Sequence, residues 1–375
     1  MLRSMSDDWS AAESRRISPE QSGEIWQLSE RESQVLSAIV ECHIESREPV
    51  GSKTLAARGD LHCSPATIRN VMAQLHQRGL IAQPHTSAGR VPTHLGLRFF
   101  VDCMLQIQVP PAHVQEEISS HVQEAGSVER ALDEAGRVLA RLSQKACIVG
   151  APRSERIRLK QIDFVRLRND ALLVLLVTSE GFVQNRLMEV DAQSPLLRHG
   201  QLPDQSELSR MGRYLSERGE GLPLLELLQE LEAEKSRTSD ELEHLRRAAA
   251  ELGRVALAEA GLEHAGLRVE GERHLLDVDA PKQSERIEEL MGILDEKTQL
   301  VSLLDRSCDA PGIRVFIGEE NPLREFADMS VITASYGEGA RVLGTLGVIG
   351  PTRMDYAKVV PMVEFTAQAV SRLLR

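Results

Sequence analysis

The stretch that most constrains the fold is "SPATIRNVMAQLHQRGLIAQPHTSAGRVP", running from Ser64 to Pro92. Ser64 followed by Pro65 opens a helix, because a serine cap satisfies free N–H groups and proline suits the first helical position. Ile68, Val71, Met72 and Leu75 recur at helical spacing and form one apolar stripe. Gly79 stops the helix, and Leu80 to Thr93 reads as two short strands around "HTSAGR". Two helices precede it. Leu28 to Ser46 carries Val35, Leu36, Ile39, Val40 and Ile44 on one face, with Ser29 and Glu32 spaced as a capping box. "REPVGSKTLAAR" then predicts a turn and a second short helix, with Gly51 at the break and Ser52 as cap.

Three helices followed by a hairpin predict a winged helix-turn-helix. With its apolar stripe turned inward, the third helix points Ala66, Asn70, Ala73 and Gln77 outward, flanked by Arg69 and Gln74. That face has no carboxylate and fits a major groove, where its N-terminus also favours phosphate. Asn70 suits an adenine edge and Arg69 a guanine or a phosphate. Ser52 and Lys53 suit backbone contacts, and Arg90 beside Gly89 has the placement of a wing-tip arginine. Ser64, Thr67 and Ser87 complete the set of expected DNA contacts. The charge agrees: Pro49 to Val101 holds Lys53, Arg58, Arg69, Arg78, Arg90 and Arg98 against Asp60 alone. This local +5 sits in a chain of net −12, which points to a confined polyanion-binding surface.

The rest of the 375 residues leaves room for further domains. Residues 1–27 are polar and aperiodic and read as a disordered extension. No apolar leader is visible in them, and the longest apolar run, Ala171 to Val177, is too short to span a bilayer. A cytoplasmic protein is expected. Leu95 to Ile107 reads as a linking helix and Ser127 to Lys145 as another. The period then changes: "ACIVGAP", "LKQIDFVRLRND", "ALLVLLVTSE" and "GFVQNRLMEV" are strand-like, the third as a central strand covered on both faces. From Asp191 to Arg273 the chain turns helical, leucine-rich and acidic, which fits either a partner-facing, oligomerising insert or an ordinary helical subdomain. Sheet character returns in "LRVEGERHLLDV", "GIRVFIGEE", "MSVITASYG" and "ARVLGTLGVIG", with a helix around Ile287 to Leu294 between the first two. A last helix contains Pro361, which is expected to kink it.

No catalytic constellation emerges, and no enzyme, metal or cofactor is expected. The five cysteines are scattered without a CxxC pair, and His62 with Cys63 lacks a second ligand pair. The glycines from Gly337 to Gly350 match no phosphate-binding motif and read as tight turns and close sheet packing. His85 and Ser87 lie too close together for a triad, and Asp277 with Asp279 reads as a solvated strand face.

"EPVGSKTLA", "SPATIRNVMAQL" and "QPHTSAGRVPT" closely resemble the winged-helix domain of the HrcA family. "IGEENPLREFADMSVITASYG" and "LGTLGVIGPTRMDYAKVVP" resemble that family's C-terminal signature. The resemblance implies an α+β multidomain protein, with an N-terminal winged helix, a GAF-like α/β sheet domain and an inserted helical or mixed dimerisation domain. The expected limits are 28–108 for the winged helix, 109–195 with 275–375 for the GAF-like domain, and 196–274 for the insert. Strands from 145–190 and 275–350 would then share one sheet. It further implies a homodimer that binds the inverted-repeat CIRCE operator and represses chaperone operons until heat shock, with the GroE chaperonin as modulator. The apolar strand at 171–177 and the strands near 342–350 are where loosening would expose sheet edges to a chaperone. One departure stands out: the family usually has aspartate after the helix asparagine, where this chain has Val71, beside the apolar stripe. A packing change is expected there. The competing reading is a metabolite-responsive winged-helix regulator whose GAF-like domain binds a small ligand.

Overall fold

The computed structural model describes residues 28–85, 88–105, 108–151, 157–168, 170–190, 197, 202–234, 249, 252–253, 267–275, 292, 300–301, 303–304, 312–339 and 341–374. The expected extension at 1–27, the helix around Ile287 and the Asp277/Asp279 pair lie outside these residues.

Helix α1 (Glu30–Ser46) starts as its sequence predicts: Ser29 Oγ accepts from Glu32 N, and Glu32 Oε2 accepts from Ser29 N at 2.8 Å. Its predicted stripe is buried from Val35 to Val40. Helix α2 (Ser52–Arg58) corrects the expected cap: Gly51 is the N-cap, its carbonyl accepting from Leu55 N at 3.1 Å, and Ser52 is already helical. Helix α3 (Pro65–Gln77) has Ser64 as N-cap, accepting from Thr67 N at 3.1 Å, and Gly79 follows with φ of 73°. Strands β1 (Ile81–Ala82) and β2 (Val91–Pro92) form the hairpin, with Ile81 opposite Pro92. A bridge from Val50 to Arg90 adds a third rung. Gly89 is required beside it: a Cβ there would lie 2.6 Å from the Pro49 and Val50 carbonyl oxygens.

Helix α4 (His94–Phe99) runs on as a π-helical turn, Phe100–Met104, and so ends short of the expected Ile107. Helices α5 (Ala112–Glu124) and α6 (Val128–Ser143) follow. Strand β3 (Ala146–Val149) enters a five-stranded antiparallel sheet of order β7-β3-β10-β9-β8, made with β7 (Arg268–Glu270), β8 (Ile313–Ile317), β9 (Met329–Glu338) and β10 (Arg341–Pro351). Helices α6 and α9 (Tyr356–Leu373) pack on one face, and α5 packs against both of them. Leu300, Leu303, Leu304 and Phe326 cover the other. Helix α9 is continuous through Pro361.

The single-sheet expectation is overturned. Strands β4 (Leu159–Arg166), β5 (Ala171–Thr178) and β6 (Val183–Glu189) form their own three-stranded sheet under α7 (Gln205–Gly219) and α8 (Leu224–Glu234). Its core is separate, built from Leu172, Val174 and Leu176 of β5 against Leu208, Met211 and Leu215 of α7. Helix α7 lies so close that a Cβ at Gly212 would come within 2.8 Å of the Ile162 carbonyl oxygen. Strand β5 is central, as expected, but buried on one face only; Leu173, Leu175 and Val177 are half-exposed on the other. The predicted exposed edges also move, since β5 and β10 are both interior strands and β4, β6, β7 and β8 are the edges. Leu224, Leu227 and Leu231 of the leucine-rich stretch are buried in this second core.

Candidate nucleic-acid interface

Helix α3 is divided lengthwise. Ile68 and Leu75 are fully buried, Met72 nearly so, and Val71 is 7% exposed, which places the unusual valine in the core with the stripe. Ala66, Arg69, Asn70, Ala73, Gln74 and Gln77 are exposed, as the helical wheel predicts. Ser64 and Thr67 hold the helix start: Ser64 Oγ lies 2.9 Å from Thr67 Oγ1 while it caps the backbone. Their first task is therefore to fix the α3 N-terminus, whose free N–H groups favour an anion.

The Val50–Arg90 bridge joins the start of α2 to the hairpin, through Val50 N to Arg90 O and Arg90 N to Val50 O, both at 2.8 Å. It ties the backbone just before Ser52 and the exposed Lys53 to that of Arg90. Arg90 lies one residue beyond the last hairpin pair, Ala82–Val91, on the side of the turn, where the Val50 rung holds its backbone. Its guanidinium donates to Gln83 Oε1 at 2.6 Å, and Gln83 Nε2 donates to the Ala88 carbonyl at 3.2 Å. Sequence reasoning misses Gln83, although its place two residues past the β1 start, facing the returning strand, is the available signal. Ser87 lies outside the described residues.

The local charge needs revision. Arg58 pairs with Glu45 at 3.0 Å and lies 3.8 Å from Asp60; Arg78 pairs with Glu32 at 3.3 Å; Arg98 pairs with Asp102 at 2.9 Å and Glu320 at 2.7 Å. Three of the six cations thus meet carboxylates, most of them from outside the basic window. The Glu32 carboxyl is held below its ordinary value, first by the Ser29 backbone bond and last by Arg78. Among the described residues, no ion pair engages Lys53, Arg69 or Arg90. The side chains that remain for an anion are therefore the ones that flank the α3 face and the wing. An exposed amide, an exposed guanidinium and a small, carboxylate-free surface between them can read base edges and hold phosphates.

Nothing in the described residues groups three metal-ligating side chains, and no described helix is long and apolar enough to cross a membrane. The Cys147 thiol is fully buried and pushed far up by burial. The glycines of β10 serve packing: a Cβ at Gly347 would lie 2.6 Å from the Ile332 carbonyl, and one at Gly344 would run into the Tyr336 ring.

Residues 129–360 match the family model described as HrcA protein C terminal domain. The heat-inducible transcription repressor HrcA of Sphingopyxis alaskensis is 40% identical over 359 residues, covering 94% of this chain and 99% of its own length. The chain belongs to the HrcA family. The repressor of the same name from Geobacter sulfurreducens is 40% identical over 348 residues, covering 92% and 98%. Both relatives are named as heat-inducible transcription repressors. The model match begins at 129 and so does not reach α3, which the relatives do cover. A solved structure described as a hypothetical protein shares the fold, with a TM-score of 0.59 at 24% identity over 93% of this chain and 99% of that one.

Proposed function

We propose that this HrcA-family repressor acts in the cytoplasm as a homodimer bound to an inverted-repeat DNA operator of the CIRCE type. Bound there, it blocks transcription of chaperone operons until heat shock, and the GroE chaperonin sets its active fraction. The observation that carries the reading is the carboxylate-free exposed face of α3, which bears Arg69 and Asn70. Lys53 and Arg90, which no ion pair engages among the described residues, flank it. In this reading α3 enters the major groove. Ser52, Lys53 and the wing grip the backbone, and the capped α3 N-terminus takes a phosphate.

Residues 28–104 form the winged helix and the five-stranded sheet with α5, α6 and α9 the GAF-like domain. The separate core of the three-stranded sheet supports an inserted unit at 157–253, longer at its start than the sequence suggests. That unit suits dimerisation because its second face is open and carries an apolar stripe beside Gln161, Asp163 and Asn185. Strand register aligns Val165, Leu173 and Leu187 across it, and Val177 with Val183, the two β6 side chains being 53% and 54% exposed. Two heads on a two-fold axis match two half-sites.

The test is to titrate the purified protein against an inverted-repeat duplex and a scrambled duplex at several salt concentrations. A preference of about 10³-fold or more for the repeat is expected. Equal affinities with equal salt slopes would leave phosphate contacts alone and overturn the reading.

A further inference from the structure

The head is attached to the rest of the molecule by more than its covalent linker. Helix α4 is anchored to the head: Thr93 Oγ1 donates to the Gly79 carbonyl at 2.7 Å, and Thr93 N to Leu80 O at 3.1 Å. Gly96 lies against the Leu80 carbonyl so closely that a side chain there would collide with it. From this helix Arg98 reaches across to the five-stranded sheet, to residues more than 200 positions away in sequence. Its Nε donates to both oxygens of Glu320 at 3.1 and 3.2 Å, and Nη2 donates to Glu320 Oε2 at 2.7 Å. Nη2 also donates to the Val315 carbonyl on the edge strand β8, while Nη1 donates to Asp102 at 2.9 Å. The arginine side chain is only 21% exposed and Asp102 only 10%.

The receiving side is built to hold still. Glu320 Oε2 also accepts from Ile317 N at 3.0 Å. The buried Asn321 next to it donates from Nδ2 to the carbonyls of Gly318, Phe326 and Met329, fixing the whole connection from β8 to β9. Gly318 has φ of 61°, and any Cβ there would strike the imidazole of His94, the first residue of α4. A forked guanidinium bound in two directions fixes angle as well as distance, which a single point contact does not.

We infer that Arg98 is a positioning residue: its fork to Glu320 and Val315 sets the angle of the DNA-reading head on the sheet domain, so that a dimer accepts half-sites at one spacing only. This rests on the proposed dimeric operator reading. Half-site spacing is a geometric demand on a rigid dimer, and a head free to swivel relaxes it. Arg98 acts through α4 and touches no base or phosphate.

The experiment uses the full chain and three variants, Arg98→Lys, Arg98→Met and Glu320→Gln, against duplexes holding the same half-sites. One series lengthens the central spacer by one to five base pairs, and one duplex carries a single half-site. The wild-type protein is expected to lose roughly 10-fold or more in affinity when the spacer changes, the cost of one or two poorly placed base contacts. The variants are expected to bind all spacers within about 2-fold of each other. Their single-half-site affinity and salt slope should match wild type, since a positioning arginine neutralises no phosphate. Glu320→Gln keeps an acceptor and its size, so it separates loss of the fork from loss of folding. Wild-type spacer preference in all three variants would overturn the inference, as would a parallel fall in single-half-site affinity. A wild-type protein indifferent to the second half-site would instead overturn the dimeric reading, and this inference with it.

Discussion

Two groups of cations share the N-terminal head, and their surroundings separate them. Arg58, Arg78 and Arg98 each meet a carboxylate of the protein itself, Glu45, Glu32 and Glu320 respectively. Lys53, Arg69 and Arg90 meet none among the described residues, and they flank the α3 face and wing. The sequence count treats all six alike as a basic patch. The structure divides them into a group paired with carboxylates of the protein and a group that remains available to an anion. Local net charge is thus a guide to where a polyanion site lies, while the pairing decides which residues serve it.

The sharpest way to break this division is to damage the shared scaffold. Leu75→Ala, at a fully buried site of the α3 stripe, should cost about 2–5 kcal/mol and lower affinity for every duplex together. Chemical denaturation run beside the binding assay checks it. Selective loss for one sequence without loss of stability would mean that the stripe and the exposed face are misassigned. On the exposed face, Arg69→Ala and Asn70→Ala should each cost roughly 1–3 kcal/mol of discrimination between the operator and single-base variants. Stability should stay within about 0.5 kcal/mol of wild type. If either leaves specificity intact, its side chain does not reach a base.

In the other group, Arg78→Ala should lower stability by at most about 1 kcal/mol, because its guanidinium is 42% exposed, and should leave operator discrimination unchanged. The smallest effect concerns acid. The Glu32 carboxyl lies below its ordinary value of 4.5 in the folded state, chiefly through the Ser29 backbone bond. It therefore adds stability above that pH, and this stability is lost as pH falls through the lowered folded value. Glu32→Gln should flatten that part of the acid unfolding curve, as followed by circular dichroism; an unchanged curve would assign the acid sensitivity elsewhere.

What is legible in the sequence is local. The Ser29–Glu32 spacing, the Ser64-Pro65 start and the α3 stripe each lie within one or two helical turns, so composition and period reveal them. The non-local features are hidden. Arg98 finds Glu320 across the whole chain, and no window contains both. Helix α5 escapes the sequence reading because "VPPAH" and the acidic stretch after it outweigh Val114, Ile118 and Val122 at four-residue spacing. The split into two sheets is also invisible, since strands of both alternate alike and only their packing partners differ. On Gly51 and Ser52 the cap rule points to the wrong residue, because an extended glycine supplies the needed carbonyl as well as a serine does. The Gln83–Arg90 bond needs the hairpin to be closed before its two ends meet.

The most direct test of the division is the salt dependence of operator binding for six single alanine variants, at Lys53, Arg58, Arg69, Arg78, Arg90 and Arg98. Removing one cation that touches a phosphate should reduce the slope of log affinity against log salt by about 1. Lys53→Ala and Arg90→Ala are predicted to show that reduction, and Arg69→Ala the same or, where it reads a base, a matching drop in discrimination. Arg58→Ala, Arg78→Ala and Arg98→Ala are predicted to keep the wild-type slope. Equal reductions in slope at all six positions would contradict the account, because the paired arginines would then touch DNA as readily as the other three cations.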